Sequence, residues 1–257
     1  MRARKRFGQH FLADATIVRR IIDAIDPRPG QPFVEIGPGH GVLTRALLER
    51  CERLRSIEID RDLAAELRVD PRFGGRLDVI EADALNVDFH VLQGMGAKLR
   101  LVGNLPYNIS TPLLFHVLEQ RGAIVDAHFM LQKEVVARMA APPGSRTYGR
   151  LSVMLAPYCR VEALFDVAPG AFRPPPRVTS SVVRLIPHAA PPFAIDDPAV
   201  FARVVSAAFS QRRKKLRNAL GELATPAQLS EAGIDPDDRA ERIPAAAFAA
   251  LANRMPH

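Results

Sequence analysis

The sequence predicts an α/β fold with a parallel sheet between two helical layers, followed by a small all-helical C-terminal domain. Three features carry that prediction. Short apolar runs alternate with amphipathic stretches between residues 33 and 131, a glycine-rich turn follows the first run, and only helical patterns remain beyond a Pro- and Ala-rich stretch at 187–198. Strands that alternate with helices imply right-handed βαβ units whose helices bury both faces of the sheet. A chain of 257 residues is long enough for such a domain with an appendage.

In order along the chain, Ile17, Val18, Ile21, Ile22 and Ile25 recur at helical spacing between Asp14, an aspartate suited to capping, and Asp26. The expected strands are 33–36, 54–59, 77–81, 99–102 and 127–131, with helices at 42–50, 63–69 and 111–120 between them. A helix around 148–158 precedes two more strands, 161–167 and 180–186, which flank a turn-rich segment with four prolines at 168–177. That order fits an antiparallel hairpin at one sheet edge. Residues 187–198 read as a linker, which sets the domains at 1–187 and 188–257. In the second domain, helices are expected at 199–210 and 212–220 and after Pro226 and Pro244.

The net charge is +7. Such an excess favours a polyanionic partner, because each cation that meets a phosphate releases condensed counterions, and nucleic acid suits it better than an anionic membrane. Cys51 and Cys159 form no CxxC pair and no His/Cys spacing suited to zinc. They fit a reducing compartment and give no reason to expect a metal. Arg2, Arg4, Lys5 and Arg6 lack an apolar stretch behind them, so they do not read as a secretory signal. Asp14 and a structured pattern follow too soon for a mitochondrial presequence. No apolar run approaches the roughly 20 residues that span a bilayer. The expectation is a cytoplasmic protein with no membrane partner, monomeric by default.

The stretch Phe33-Val34-Glu35-Ile36-Gly37-Pro38-Gly39-His40-Gly41 runs from a strand into a helix. Glycines let the backbone turn tightly and approach a ligand where a Cβ would collide, and the N–H groups opening the next helix face that ligand. In a Rossmann-like sheet this is the crevice at the carboxyl ends of the strands. A turn without a ligand would carry the same glycines, so the acids that follow decide. Glu58 ends the second strand, suited to both ribose hydroxyls, and Asp83 follows the third, suited to an adenine amino group. Either acid alone reads as a solvated strand-end carboxylate, but together they favour a nucleoside site. Val42 stands where a dinucleotide fingerprint wants its last glycine, which leans away from NAD and toward S-adenosylmethionine.

Gly103-Asn104-Leu105-Pro106-Tyr107-Asn108-Ile109-Ser110 follows the fourth strand. An adenine exocyclic amine is a poor nucleophile because its lone pair is delocalised into the ring. A site that accepts hydrogen bonds from both N6 hydrogens favours a more tetrahedral nitrogen and frees the lone pair to attack a methyl sulfonium. Asn104 offers a side-chain carbonyl for one bond, and the Leu105 backbone carbonyl offers the other. Pro106 restricts Leu105 to an extended conformation, and Tyr107 offers a flat face for an extruded base. The expected chemistry is direct in-line transfer by positioning and electrostatics, without a covalent intermediate or a metal. The bland alternative is a turn in which Asn and Pro serve only as caps.

Asn-Leu-Pro-Tyr behind a Glu-Ile-Gly-Pro-Gly-x-Gly strand resembles the N6-adenine rRNA methyltransferases, over nearly the whole chain. Gly8-Gln9-His10-Phe11-Leu12 resembles that family's N-terminal motif, which closes over the methionine end of the cofactor. By resemblance His10, Leu12, Gly37, Gly39, Glu58, Asp83 and Asn104 are cofactor contacts. Many relatives carry Asn in place of His10, which on sequence alone reads as a surface histidine.

The stretches Phe209-Ser210-Gln211-Arg212-Arg213-Lys214-Lys215-Leu216-Arg217-Asn218, Tyr148-Gly149-Arg150-Leu151-Ser152-Val153 and Phe172-Arg173-Pro174-Pro175-Pro176-Arg177-Val178 resemble the small-subunit branch. They set the chain apart from the erythromycin-resistance type, which acts on large-subunit rRNA. Arg212, Arg213, Lys214, Lys215 and Arg217 crowd five cations into six residues on an expected helix, a density costly through self-repulsion unless an anion offsets it. Phosphate contact along an RNA backbone is favoured over a solvated basic face. Phe172 reads equally as a ring stacked beside the target base or as an anchor of the Pro-rich turn.

The resemblance implies dimethylation of two adjacent adenosines in the hairpin loop near the 3′ end of small-subunit rRNA. It also implies action on a partly assembled small subunit, late in maturation. An NAD-linked oxidoreductase leaves Asn-Leu-Pro-Tyr and the basic segment unexplained. A non-catalytic RNA-binding assembly factor leaves the intact glycine turn, Glu58, Asp83 and Asn104 unexplained.

Overall fold

Asp14 caps as its position predicts, accepting from the N–H groups of Thr16 and Ile17 at 2.8 and 3.2 Å. The computed structural model in which this is seen describes residues 10–107, 109–211 and 213–255. Gly8, Gln9, Asn108 and Arg212 therefore lie outside the described residues. The first unit begins with β1 (Phe11–Leu12), α1 (Ala15–Ile25), β2 (Phe33–Ile36), α2 (Val42–Leu48), β3 (Leu54–Glu58) and α3 (Arg61–Val69). It continues through β4 (Leu77–Glu81), α4 (Phe89–Gln93), β5 (Leu99–Asn104), α5 (Ser110–Glu119) and β6 (Ile124–Gln132). After α6 (Lys133–Met139) and α7 (Arg150–Leu155) come β7 (Cys159–Val167), β8 (Phe172–Arg173) and β9 (Ser180–Pro187). The rest is helical: α8 (Pro198–Ser210), α9 (Leu216–Ala219), α10 (Pro226–Glu231) and α11 (Ala245–Ala252).

Among the described residues, seven strands form one sheet in the order β4-β3-β2-β5-β6-β9-β7. The five from β4 to β6 are parallel, and β9 runs antiparallel to β6 with β7 outermost, the edge where the sequence suggests a hairpin. Burial on both faces explains why these strands read as continuous apolar runs: all four residues of β2 are buried. Sheet order reverses at β2, which has β3 on one side and β5 on the other, and ligands bind beyond such a switch point. A buried ionic brace ties the opposite end. Arg100 on β5 donates to Asp126 on β6 at 2.8 and 3.0 Å and to the Ile25 carbonyl at 2.7 Å, and Arg184 on β9 reaches Asp126 at 2.8 Å.

Contacts divide the chain into two units, residues 1–136 with 161–187, and residues 137–160 with 188–257. The expected boundary near 188 therefore needs a correction, because 137–160 packs with the C-terminal helices. Tyr148 and Val153 explain it. Both are buried in one apolar cluster with Phe201, Val204 and Phe248, and the Tyr148 hydroxyl donates to the Ile243 carbonyl at 2.9 Å. A buried tyrosine ring with its hydroxyl satisfied is a strong anchor.

Candidate active site

The carboxyl ends of β2, β3, β4 and β5 open onto a cavity of about 910 Å³, counted to its mouth, in the range of small-ligand sites. His10, Gly37, Gly39, Glu58, Asp83 and the turn Asn104, Leu105, Pro106 and Tyr107 all line it. Leu12 does not. Its side chain packs into the core of the first unit, and the neighbouring Phe11 lines the cavity instead. The sequence reading missed Phe11, because a strand of two residues gives no alternation to read.

Gly39 sits at φ +57°, and a Cβ there would come within 2.8 Å of the Phe11 ring. That ring also packs on His40, with centroids 4.4 Å apart. Below the turn, a Cβ on Gly103 would come within 2.5 Å of the Ile36 carbonyl oxygen, so β2 and β5 approach each other as only glycine allows. Glu58 is 4% exposed and fixes the turn, its Oε2 accepting from the Gly39 N–H at 3.2 Å and its Oε1 from the Asp60 N–H at 2.9 Å. Burial pushes its pKa up, and these N–H groups pull it back. An ionised carboxylate has about four acceptor sites, so Glu58 keeps capacity for ligand hydroxyls. Asp83 caps a short turn by accepting from the Leu85 N–H at 3.0 Å while facing the cavity.

The Asn104 amide is held by a group far away in sequence: Nδ2 donates to the His10 carbonyl at 2.8 Å. This leaves Oδ1 as the acceptor available to a substrate amine. The Leu105 side chain is buried, and its N–H donates to the Met130 carbonyl at 3.2 Å. The His10 ring lies 5.8 Å from the Tyr107 ring, and its Nδ1 is 2.9 Å from the Pro174 carbonyl oxygen. The Tyr107 hydroxyl meets Ser180 Oγ at 2.7 Å, and burial raises the Tyr107 pKa, so the phenol keeps its proton.

β1 pairs antiparallel with β8, Leu12 opposite Phe172. This corrects the reading of Phe172 as an RNA contact. Its side chain is wholly buried in the core with Leu12 and Ala171, so no ring face is left for a base.

A smaller cavity of about 520 Å³ lies behind the glycine turn, with Glu35, His128 and Asn104 in its walls. Glu35 is wholly buried, which pushes its pKa up to about 7 against the Thr44 hydroxyl that donates to it at 2.5 Å. Burial drives His128 down to about 4.

The basic segment differs from expectation. Helix begins only at Leu216, so Arg213, Lys214 and Lys215 lie in the connection before a four-residue helix. Leu216 is buried, and its N–H and that of Arg217 donate to the Asp238 and Pro236 carbonyls at 2.8 and 3.0 Å. Backbone groups that a longer helix would pair internally are thereby taken by residues 236–238. Asp237, absent from the sequence reading, bridges Lys215 at 3.3 Å and Arg217 at 3.0 Å. Among the described residues, Arg213 and Lys214 are exposed and form no such pair. Arg212 lies outside the described residues. Also among the described residues, no three His, Cys, Asp or Glu side chains gather to hold a metal ion, and no helix is long and apolar enough to cross a membrane.

A switch-point crevice with a glycine turn, strand-end acids and an Asn-Leu-Pro-Tyr turn defines the class: a Rossmann-like S-adenosylmethionine-dependent methyltransferase. The family described as "Ribosomal RNA adenine dimethylase" matches residues 1–256, and the chain belongs to it. A relative from Xanthomonas campestris pv. campestris (strain 8004), named "Ribosomal RNA small subunit methyltransferase A", is 57% identical over 251 residues, covering 98% of this chain and 95% of the relative. A protein of the same name from Xylella fastidiosa (strain Temecula1) is 54% identical over 252 residues, covering 98% and 95%. Among solved structures, a dimethyladenosine transferase from Plasmodium falciparum superposes with TM-score 0.75 at 26% identity, covering 94% of this chain and 96% of that one. The 23S rRNA methyltransferase ErmE does so with TM-score 0.74 at 27% identity, covering 95% and 99%.

The chain is therefore an enzyme that uses S-adenosylmethionine to methylate adenine in ribosomal RNA. The crevice fits that cofactor. It has an open backbone cradle at Gly37 and Gly39, a buried carboxylate at the end of β3, and apolar walls from Ile36, Ile57 and Ile59.

Proposed function

We propose that the enzyme dimethylates N6 of two adjacent adenosines in the 3′-terminal hairpin loop of small-subunit rRNA, acting as a cytoplasmic monomer on a partly assembled small subunit. The observation that carries the chemistry is the Asn104 amide, whose nitrogen is committed to the His10 carbonyl and whose oxygen is left to accept from an amine. Asn104 Oδ1 and the Leu105 carbonyl accept from the two N6 hydrogens, and Tyr107 stacks on the extruded base. When bound, S-adenosylmethionine supplies the electrophilic methyl group. His10, Phe11, Gly37, Gly39, Glu58 and Asp83 hold it, Glu58 accepting from the ribose hydroxyls and Asp83 from the adenine amino group.

Arg213 and Lys214, with Arg212, Lys215 and Arg217, grip RNA phosphates from the second unit. The small-subunit branch is supported by relatives of 54–57% identity that bear that name, against 27% for the large-subunit enzyme. The test is methyl transfer from labelled S-adenosylmethionine to small subunits lacking the modification, with large subunits in parallel and nucleosides identified by mass spectrometry. Dimethyladenosine in small-subunit RNA alone is expected. Product confined to large subunits would overturn the branch, and no product on either would overturn the substrate.

A further inference from the structure

Ser180 and Ser181 are adjacent and both buried at the start of β9, yet their hydroxyls serve different ends. Successive strand residues point to opposite faces. Ser181 Oγ donates to the Phe165 carbonyl at 3.2 Å, inside the sheet. Ser180, with no exposed surface, instead places its Oγ 2.7 Å from the Tyr107 hydroxyl at the cavity. The hydroxyl lies on the axis about which the ring turns, so holding it fixes where that axis points and leaves rotation about the axis to the groups that flank the ring. His10 bounds the same ring at 5.8 Å while its carbonyl holds Asn104, so ring and amide share one support.

The geometry points to Ser180 as a positioning residue that fixes the direction of the Tyr107 ring axis and thereby the place of the target amine before Asn104. The inference rests on the reading of Tyr107 as the stacking platform. It matters most for the second methylation. After the first transfer the amine keeps only one N6 hydrogen, so one of the two acceptor bonds that orient it is gone. The placement of the ring then carries more of the orientation.

Ser180→Ala and Tyr107→Phe each remove one end of the bond. Both variants, the double variant and Tyr107→Ala are assayed as full chains on small subunits lacking the modification, with product nucleosides resolved by mass spectrometry. The expected result for each single variant is a kcat lower by about five- to tenfold, the worth of one hydrogen bond, with KM for S-adenosylmethionine unchanged. Monomethyladenosine should take a larger share at equal total methyl incorporation, and the double variant should be no worse than either single one. A smaller folded fraction would scale kcat but leave that share unchanged.

Wild-type kcat and product ratio in both single variants, with Tyr107→Ala impaired, would overturn the role of Ser180. So would losses that simply add in the double variant. Wild-type behaviour of Tyr107→Ala would instead overturn the stacking platform itself. Should Ser180→Ala fail to fold, Tyr107→Phe decides alone, because it leaves β9 intact.

Discussion

The turn at 104–107 and the basic segment at 213–217 both face a substrate in this reading, but they are built in opposite ways. The turn is clamped from distant stretches of chain, by the His10 carbonyl, the Met130 carbonyl and the Ser180 hydroxyl. The backbone of the basic segment is anchored by the buried Leu216 and by two bonds to residues 236–238, but its described cations are exposed, two of them shared with Asp237. Directional bonds in a sheltered site make chemistry sensitive to the position of single atoms. Exposed charges act by number and fall with salt. The first region should fail abruptly on substitution, the second by degrees.

The largest effect expected is that of Asn104→Ala. Losing one preorganised acceptor should lower kcat by about a hundredfold or more, while affinity for small subunits stays close to wild type. Wild-type turnover would refute amine activation at this turn.

The dryness of the first region can be tested through Glu35. Its folded pKa of about 7 stands above the ordinary 4.5, so between those values the folded state binds a proton that the unfolded state has lost. Wild-type stability is therefore penalised progressively as pH rises through that window, and Glu35→Gln, neutral throughout, escapes the penalty. The melting temperature of Glu35→Gln should match wild type near pH 4, pull ahead up to about pH 7, and keep a constant lead above it. A lead of up to about 3 kcal/mol follows from the size of the shift, and parallel curves would show a wetter, ionised Glu35.

In the second region, neutralising Arg213 and Lys214 together should weaken small-subunit binding by about tenfold. It should also lower the slope of log affinity against log salt by roughly 1.5, with kcat at saturation unchanged. An unchanged slope would remove these residues from the phosphate contacts. The smallest effect belongs to Asp237→Asn. Freeing Lys215 and Arg217 should tighten binding about two- to threefold and steepen the same slope, because an exposed pair is worth little. Weaker binding would mean that Asp237 orders the cations more than it competes for them.

Much of the first unit was legible because its strands are buried on both faces and its turn needs glycine. The strands at 33–36 and 77–81 have the bounds their apolar runs suggest, and Gly37, Glu58, Asp83 and Asn104 meet in one cavity. The partners that fix those groups were not legible. Ser180 lies 73 residues from Tyr107, and His10 lies 94 from Asn104, so no local pattern links them. β1 and β8, two residues each, are too short to show a period. Nothing local therefore revealed that Leu12, a cofactor contact by resemblance, and Phe172, read equally as a stacked ring or a turn anchor, pair with each other in the core. In the second unit, the cation run suggested a helix from 212, but the strap at 236–238 takes the backbone groups at Leu216 and Arg217. Tyr148 was legible only as part of a stretch that resembles the small-subunit branch, and no local pattern links it to Ile243, 95 residues on.

The pairing of β1 with β8 also bears on when this enzyme first exists as an enzyme. Phe11 leaves the ribosome well before its partner Arg173, which comes 162 positions later. At about 5–20 residues per second, translation needs roughly 8–32 s to cross that interval. Until it has done so, the segment that holds Asn104 has no strand to pair with. A nascent chain can form the parallel strands and still lack a finished site until β8 has been made.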